Sequence, residues 1–202
     1  MKVALIGASG NAGTRILNEL AKRGHTVTAI ARNPERISTG KNIAAYKGDV
    51  FDPVGLAARL KGHDAVISSV HFTASDPHKL IEAVRAAGVP RYLVVGGAGS
   101  LEVAPGKKLI DTPEFPAQYK AEAAAGGAFL DLLRQEKVID WTFLSPSALF
   151  VSGERTGKFR IGGDRLLTNE KGSSISFEDY AIALVDELEK PAHSRKRFTV
   201  GY

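Results

Sequence analysis

The sequence contains no cysteine, which removes disulfides, thiolate metal ligands and thiol redox chemistry from consideration. No apolar run approaches the ~18 residues that a membrane-spanning helix needs. Its histidines, at positions 25, 63, 71, 78 and 193, fall at no metal-ligand spacing, and no glycine-flanked serine elbow is present. Hydrolase and metalloenzyme chemistry are therefore set aside, and no metal is expected. The chain also lacks a basic block. Its net charge of +5 comes from Lys and Arg dispersed among carboxylates, so a nucleic-acid partner is not expected, and a positive lining for a small polyanion accounts for part of the excess. Met1 leads straight into the first apolar run, leaving no room for a signal peptide; the expectation is a cytoplasmic protein without a membrane partner.

The 202 residues are enough for one well-packed domain, residues 1–202, with a small irregular region at about 150–175. Its first stretch carries the strongest signal. Val3–Ile6 is a short buried-strand pattern, Gly7-Ala8-Ser9-Gly10-Asn11-Ala12-Gly13 follows without a spacer, and a helical pattern begins through Ile16, Leu17 and Leu20. Strand, glycine turn and helix is the context in which such spacing binds a nucleotide pyrophosphate. Gly7 turns the chain off the strand, Gly10 leaves room for phosphate, and Gly13 lets the helix pack against the strand. The unpaired amides at Ser9, Asn11, Ala12 and Gly13 then face the phosphates.

The rest of the chain alternates strand and helix. Thr26–Ala31, Ile43–Tyr46, Ala65–Ser69, Tyr92–Val95, Asp140–Leu144 and Arg197–Val200 read as strands. Asn33-Pro34, Asp52-Pro53 and Asp76-Pro77 each place a capping residue before a first-turn proline. Ser176 and Asp179 have capping-box spacing for a last helix. A long connection, Gly96–Pro116, precedes a helix predicted over 117–137, whose run Ala123–Ala128 is so small that something must approach its backbone; the sheet beneath is the expected neighbour. Phe159–Ile161 and Leu166-Leu167 are candidate short strands. The expected architecture is α/β: a Rossmann-type, doubly wound, largely parallel sheet with helices on both faces and the ligand at the carboxyl ends of the strands.

The second strand points to the type of nucleotide. A site selective for NAD places Asp or Glu there to hold the ribose diol. This chain has Ala31-Arg32-Asn33, with Arg36 shortly after, and a guanidinium suits a 2′-phosphate. NADP(H) is the expected cofactor. Asp49, past the third strand, is a candidate acceptor for the adenine amino group, or an ordinary turn aspartate.

With the glycine pattern, the Arg32 region, Gly48-Asp49-Val50, Gly96–Ser100 and Trp141–Pro146 in view, the chain resembles the atypical short-chain dehydrogenase/reductases over nearly its whole length. Within them it is most similar to small bacterial NADH-flavin-reductase-like proteins, and also to NmrA-like and biliverdin-reductase-B-like proteins. The resemblance implies NAD(P) binding at Gly7, Gly10 and Gly13, a 2′-phosphate contact at Arg32, and a nicotinamide pocket near Ser68-Ser69-Val70 and Ser145-Pro146.

One departure bears on the chemistry. Conventional members use a Ser, a Tyr and a Lys four residues after the Tyr. Here Ser100 and Tyr119 occupy plausible places, but Ala123 stands where the lysine belongs. The proton relay is incomplete, and Tyr119 reads better as a pocket-lining or packed aromatic. Hydride transfer to a flavin, quinone or similar planar acceptor does not need that relay, because the cofactor carries the hard chemistry. His71, after the fourth strand, is the local candidate acid. Two classes stay open: such a reductase, acting as monomer or homodimer, and an NADP(H)-responsive regulator working through a protein partner.

Overall fold

The computed structural model describes every residue from Met1 to Tyr202. Its strands in chain order are β1 (Lys2–Ile6), β2 (Thr26–Ala31), β3 (Ile43–Lys47), β4 (Ala65–Ser68), β5 (Arg91–Val95) and β6 (Glu102–Ala104). They continue with β7 (Lys107–Lys108), β8 (Asp140–Pro146), β9 (Leu149–Val151), β10 (Arg160–Gly162), β11 (Ser174–Ser176) and β12 (Lys196–Gly201). The helices are α1 (Asn11–Lys22), α2 (Pro53–Leu60), α3 (Pro77–Ala86), α4 (Lys120–Gln135) and α5 (Phe177–Glu189).

Eight strands form one sheet in the order β3-β2-β1-β4-β5-β8-β12-β10, parallel throughout except for β10 against β12. Chain order reverses across β1, which pairs with β2 on one side and β4 on the other. In such a sheet the crevice at the carboxyl ends of those strands, here Ile6 and Ser68, is where ligands bind. Parallel strands buried on both faces must be apolar on both. β1 shows this directly: Val3 and Leu5 join the core under α1 and α5, while Ala4 and Ile6 join the core under α2, α3 and α4. The fold is the expected Rossmann-type α/β sandwich.

The proline-and-cap signals act as anticipated at α2 and α3. Asp52 accepts from the amide of Gly55, and Asp76 from those of His78 and Lys79. At Asn33-Pro34 only a single 3-10 turn forms, with no side-chain cap. Ser176 caps α5 by accepting from the Asp179 amide, but the capping box is not closed. The Asp179 carboxylate turns instead to the Gly157 amide at 2.8 Å and the Tyr202 hydroxyl at 2.9 Å, because the 152–158 strap passes over it.

Several expectations need correction. α4 starts at Lys120, after a 3-10 turn over Ala117–Tyr119. Leu166-Leu167 is not a strand; that stretch is held by the Leu166 amide on the Glu102 carbonyl. The β9–β11 pair and the β6–β7 hairpin carried no sequence signal, each being two or three residues per strand. The small face of α4 meets the side chain of Phe72 and the turn after β5 rather than the sheet. A Cβ at Gly126 would lie 2.7 Å from the Phe72 ring, and Gly99 sits against Ala123 just as closely.

Candidate functional site

The three glycines of the first turn are small for different reasons. Gly7 has φ +82°, and a Cβ there would fall 2.0 Å from the Ser69 carbonyl oxygen. A Cβ on Gly13 would fall 2.1 Å from the Gly7 carbonyl oxygen, so this glycine seats α1 on the turn itself and not on the strand as anticipated. Gly10 differs. Its backbone, φ −77° and ψ 171°, suits any residue, and a Cβ would meet only the Gly7 oxygen at 3.4 Å. Nothing inside the protein requires a glycine at position 10; the space it leaves opens outward.

That outward space lies at the start of α1. Gly10 caps the helix without a side-chain bond, the first turn holds no acidic residue, and the amides of Asn11, Ala12 and Gly13 have no acceptor within the chain. Unpaired amides, the positive helix end and a missing side chain are what a pyrophosphate requires. The residues present fit a dinucleotide. Ser9 stands half-buried beside them with no bonded partner.

Arg32 and Arg36, just beyond β2, are exposed and make no ion pair or side-chain hydrogen bond. No carboxylate lies between Ala31 and Pro34. Asp49 is exposed, and its Oδ1 accepts from the Phe51 amide at 2.9 Å, a turn role that leaves Oδ2 open.

The anticipated nicotinamide pocket needs revision at two side chains. Ser68 is 1% exposed, and its hydroxyl pairs with the Tyr92 hydroxyl at 2.8 Å inside the core. Ser145 is fully buried, with its Oγ 3.4 Å from the Arg197 guanidinium, which donates to it. Both faces of the sheet are covered by helices, so side chains of either parity in β4 and β8 are buried. Ser69 and Val70 are half-buried and press against Gly7 at the carboxyl end of β4. Pro146 is buried at the end of β8.

The dehydrogenase-type groups do not assemble. Tyr119 is 59% exposed, on the 3-10 turn before α4. Ser100 instead lies 3.3 Å from Arg197, which donates to its hydroxyl. Arg197, 3% exposed at its side chain, also donates through Nε to Asp164 at 2.6 Å, tying the 160–167 segment to the sheet.

His71 and Glu122 do come together. The Glu122 carboxylate accepts from the Phe72 amide at 2.7 Å, the Thr73 amide at 2.9 Å and the Thr73 hydroxyl at 2.6 Å. His71 Nδ1 lies 3.4 Å from its Oε1. Burial opposes charge on Glu122, but the Thr73 and Phe72 donors and His71 outweigh it and hold its pKa below the ordinary carboxylate value. Phe72 is then wedged over Gly126 and stacks 6.2 Å from Phe143. Glu122, Phe72 and Arg197 were invisible in the sequence, since their partners lie dozens of residues away and no local pattern marks them.

Comparison with known proteins agrees with this geometry. A family model described as NAD(P)H-binding matches residues 7–191. YwnB of Bacillus subtilis is 46% identical, over 99% of this chain and 98% of its own. A Bacteroides thetaiotaomicron structure, provisionally named an epimerase, is 44% identical with TM-score 0.95, covering 100% of this chain and 96% of its own. A Streptococcus pneumoniae structure, provisionally named an NADH-flavin reductase, is 44% identical with TM-score 0.83, covering 100% and 99%. The names disagree on the reaction while the folds coincide. No helix is long and apolar enough to cross a membrane. By the family match, the sheet order and the glycine turn, the chain belongs to the NAD(P)H-binding family, among the atypical short-chain dehydrogenase/reductases and their NmrA-like relatives.

Proposed function

We propose that the protein is an NADPH-dependent reductase that delivers hydride to a flavin, quinone or similar planar acceptor. The carrying observation is Gly10, whose missing side chain serves no contact within the protein and opens onto three unpaired helix amides. Arg32 and Arg36, unpaired where a diol-binding carboxylate would otherwise stand, support the 2′-phosphorylated cofactor. Asp49 Oδ2 is unpaired and would accept from the adenine amino group, and Ser69 and Val70, packed against Gly7, would border the nicotinamide end.

Reduced nicotinamide supplies the hydride, and the protein orients it. The amides of Asn11, Ala12 and Gly13 would hold the pyrophosphate, and the Gly7–Ser69 contact keeps the β1 and β4 ends at a fixed spacing. The absence of a lysine at position 123 and the exposure of Tyr119 favour acceptors that do not depend on a tyrosine relay. The name of the Streptococcus relative points the same way. The test is NADPH oxidation against a panel of FMN, FAD, benzoquinones and simple ketones. Turnover with the planar acceptors and none with the ketones is expected; turnover confined to ketones would overturn the assignment.

A further inference from the structure

We propose that His71 is the proton donor to the reduced acceptor and that Glu122 is its positioning residue, a pair assembled from the β4–α3 loop and the first turn of α4. This rests on the reductase function above and names the acid that function lacked.

Placement comes first. The loop that carries His71 leaves β4 directly beside the glycine turn, with the Ser69 carbonyl filling the space above Gly7. Phe72, the next residue after His71, is locked between Gly126 and Phe143, and also touches the position of a Cβ on Gly97 in the turn after β5. The loop is therefore held at the carboxyl edge of β4 and β5, where the reacting end of the dinucleotide lies in this topology. The His71 side chain itself is 85% exposed, so its ring faces outward from that edge.

Orientation comes from Glu122. Three donors from Phe72 and Thr73 hold the carboxylate still, and its Oε1 lies 3.4 Å from His71 Nδ1. We infer the tautomer from this contact: a carboxylate can only accept, so its closeness to Nδ1 favours the ring form that carries the proton there and leaves Nε2 as the free nitrogen. No other charged group pairs with His71. Lys79 is drawn to the Phe51 carbonyl and Asp76 caps α3, while Tyr119, on the turn before α4, and Lys120, at its start, are exposed and unpaired.

Acceptors differ in their need for such a proton. A quinone that receives hydride becomes a hydroquinone monoanion. The Nε2–H bond of the His71 imidazolium breaks, its proton goes to the phenolate oxygen, the nicotinamide is left oxidised, and the neutral imidazole regains a proton from water. A flavin that receives hydride at N5 leaves an N1 anion that persists in neutral water and needs no donor. His71 therefore favours quinone-type acceptors specifically.

The experiment compares His71→Gln with the parent, using a water-soluble benzoquinone and FMN as acceptors. The ratio of quinone to FMN kcat should drop by about 10–100-fold, at or below the low end of general acid catalysis because water competes at an exposed site. The quinone KM and NADPH binding should move little. Independently, nitrogen-15 spectra of the parent's neutral His71 ring should show the proton on Nδ1. In Glu122→Gln, which has one acceptor oxygen in place of two for the same donors, the proton should shift to Nε2. Equal losses with both acceptors, or none with either, overturn the acid role and leave the reductase assignment standing. A neutral parent ring protonated on Nε2 overturns the positioning by Glu122. Failure of the parent to turn over any acceptor overturns the reductase assignment and this role together.

Discussion

The carbonyl oxygen of Ser69 occupies the place where a side chain on Gly7 would begin, 2.0 Å from that missing Cβ. Gly7 and Gly10 therefore answer to different constraints, although both belong to one motif. Gly7→Ala meets backbone at β4 and a positive φ at once, and should cost about 2–5 kcal/mol of stability. Gly10→Val puts a poorer residue at the cap of α1 and should cost only about 1 kcal/mol of stability, less than Gly7→Ala, and abolish NADPH binding. Thermal melts and a cofactor titration on the two variants separate the cases; retained binding in Gly10→Val would show that the turn does not contact phosphate.

Cofactor selectivity should depend on Arg32. A guanidinium bonded to a 2′-phosphate contributes about 1.5–3 kcal/mol, so Arg32→Ala should weaken NADPH by roughly 10–100-fold and leave NADH almost untouched. Calorimetric titration at fixed ionic strength measures both. Equal affinity of the parent for the two cofactors would remove the basis for NADP(H).

Tyr119 tests the mechanism from the other side. With 59% of the residue exposed and Ser100 bonded to Arg197 instead, its hydroxyl has no relay to serve. Tyr119→Phe should change acceptor turnover by less than about tenfold, with any effect mainly in KM, whereas loss of a true general acid costs about 10²–10⁴-fold in kcat. Steady-state kinetics with the best acceptor decides it; a hundredfold fall in kcat at unchanged KM would restore Tyr119 as the acid and redirect attention to carbonyl substrates.

Acid stability should be governed partly by Glu19, a buried carboxylate on α1. Burial opposes its charge, but hydrogen bonds from Arg155 and Arg23 outweigh that and lower its pKa below 4.5. A depressed carboxylate contributes stability above its unfolded pKa and loses it as pH falls through the folded one. The parent should therefore lose stability as pH drops from about the ordinary carboxylate value downward. Glu19→Gln should be less stable at neutral pH and show a shallower acid limb. Denaturant melts of both proteins across that range provide the measurement, and parallel pH profiles would contradict the assignment.

Much of this molecule is legible locally. The alternation of apolar runs with capped helices marks every strand of the sheet from β1 to β5, and β8 and β12, because all of these but the half-exposed edge strand β3 are contiguous runs buried on both faces. Asp52 and Asp76 announce their helices because a cap acts on amides only two or three residues away. By contrast Ser68 and Ser145, adjacent to the crevice in sequence, turn into the core, and a two-residue strand such as β7 has too little pattern to read.

The chain's order of residues was sufficient for the Rossmann-type architecture, the glycine turn and the arginines beyond β2, since all of these arise from short-range periodicity, backbone sterics and charge at adjacent positions. It could not show that Gly13 is closed in by the Gly7 carbonyl and not by the strand, nor that Arg197 holds Ser100, nor that Glu122 stands against His71. Each of those depends on elements about 50 or more residues apart, or on what surrounds a position in space, being brought within a few ångströms when α4 and β12 pack. Such proximity exists only after the sheet has closed its two cores, so only the tertiary structure decides which polar groups are spent on the fold and which are left to face a ligand.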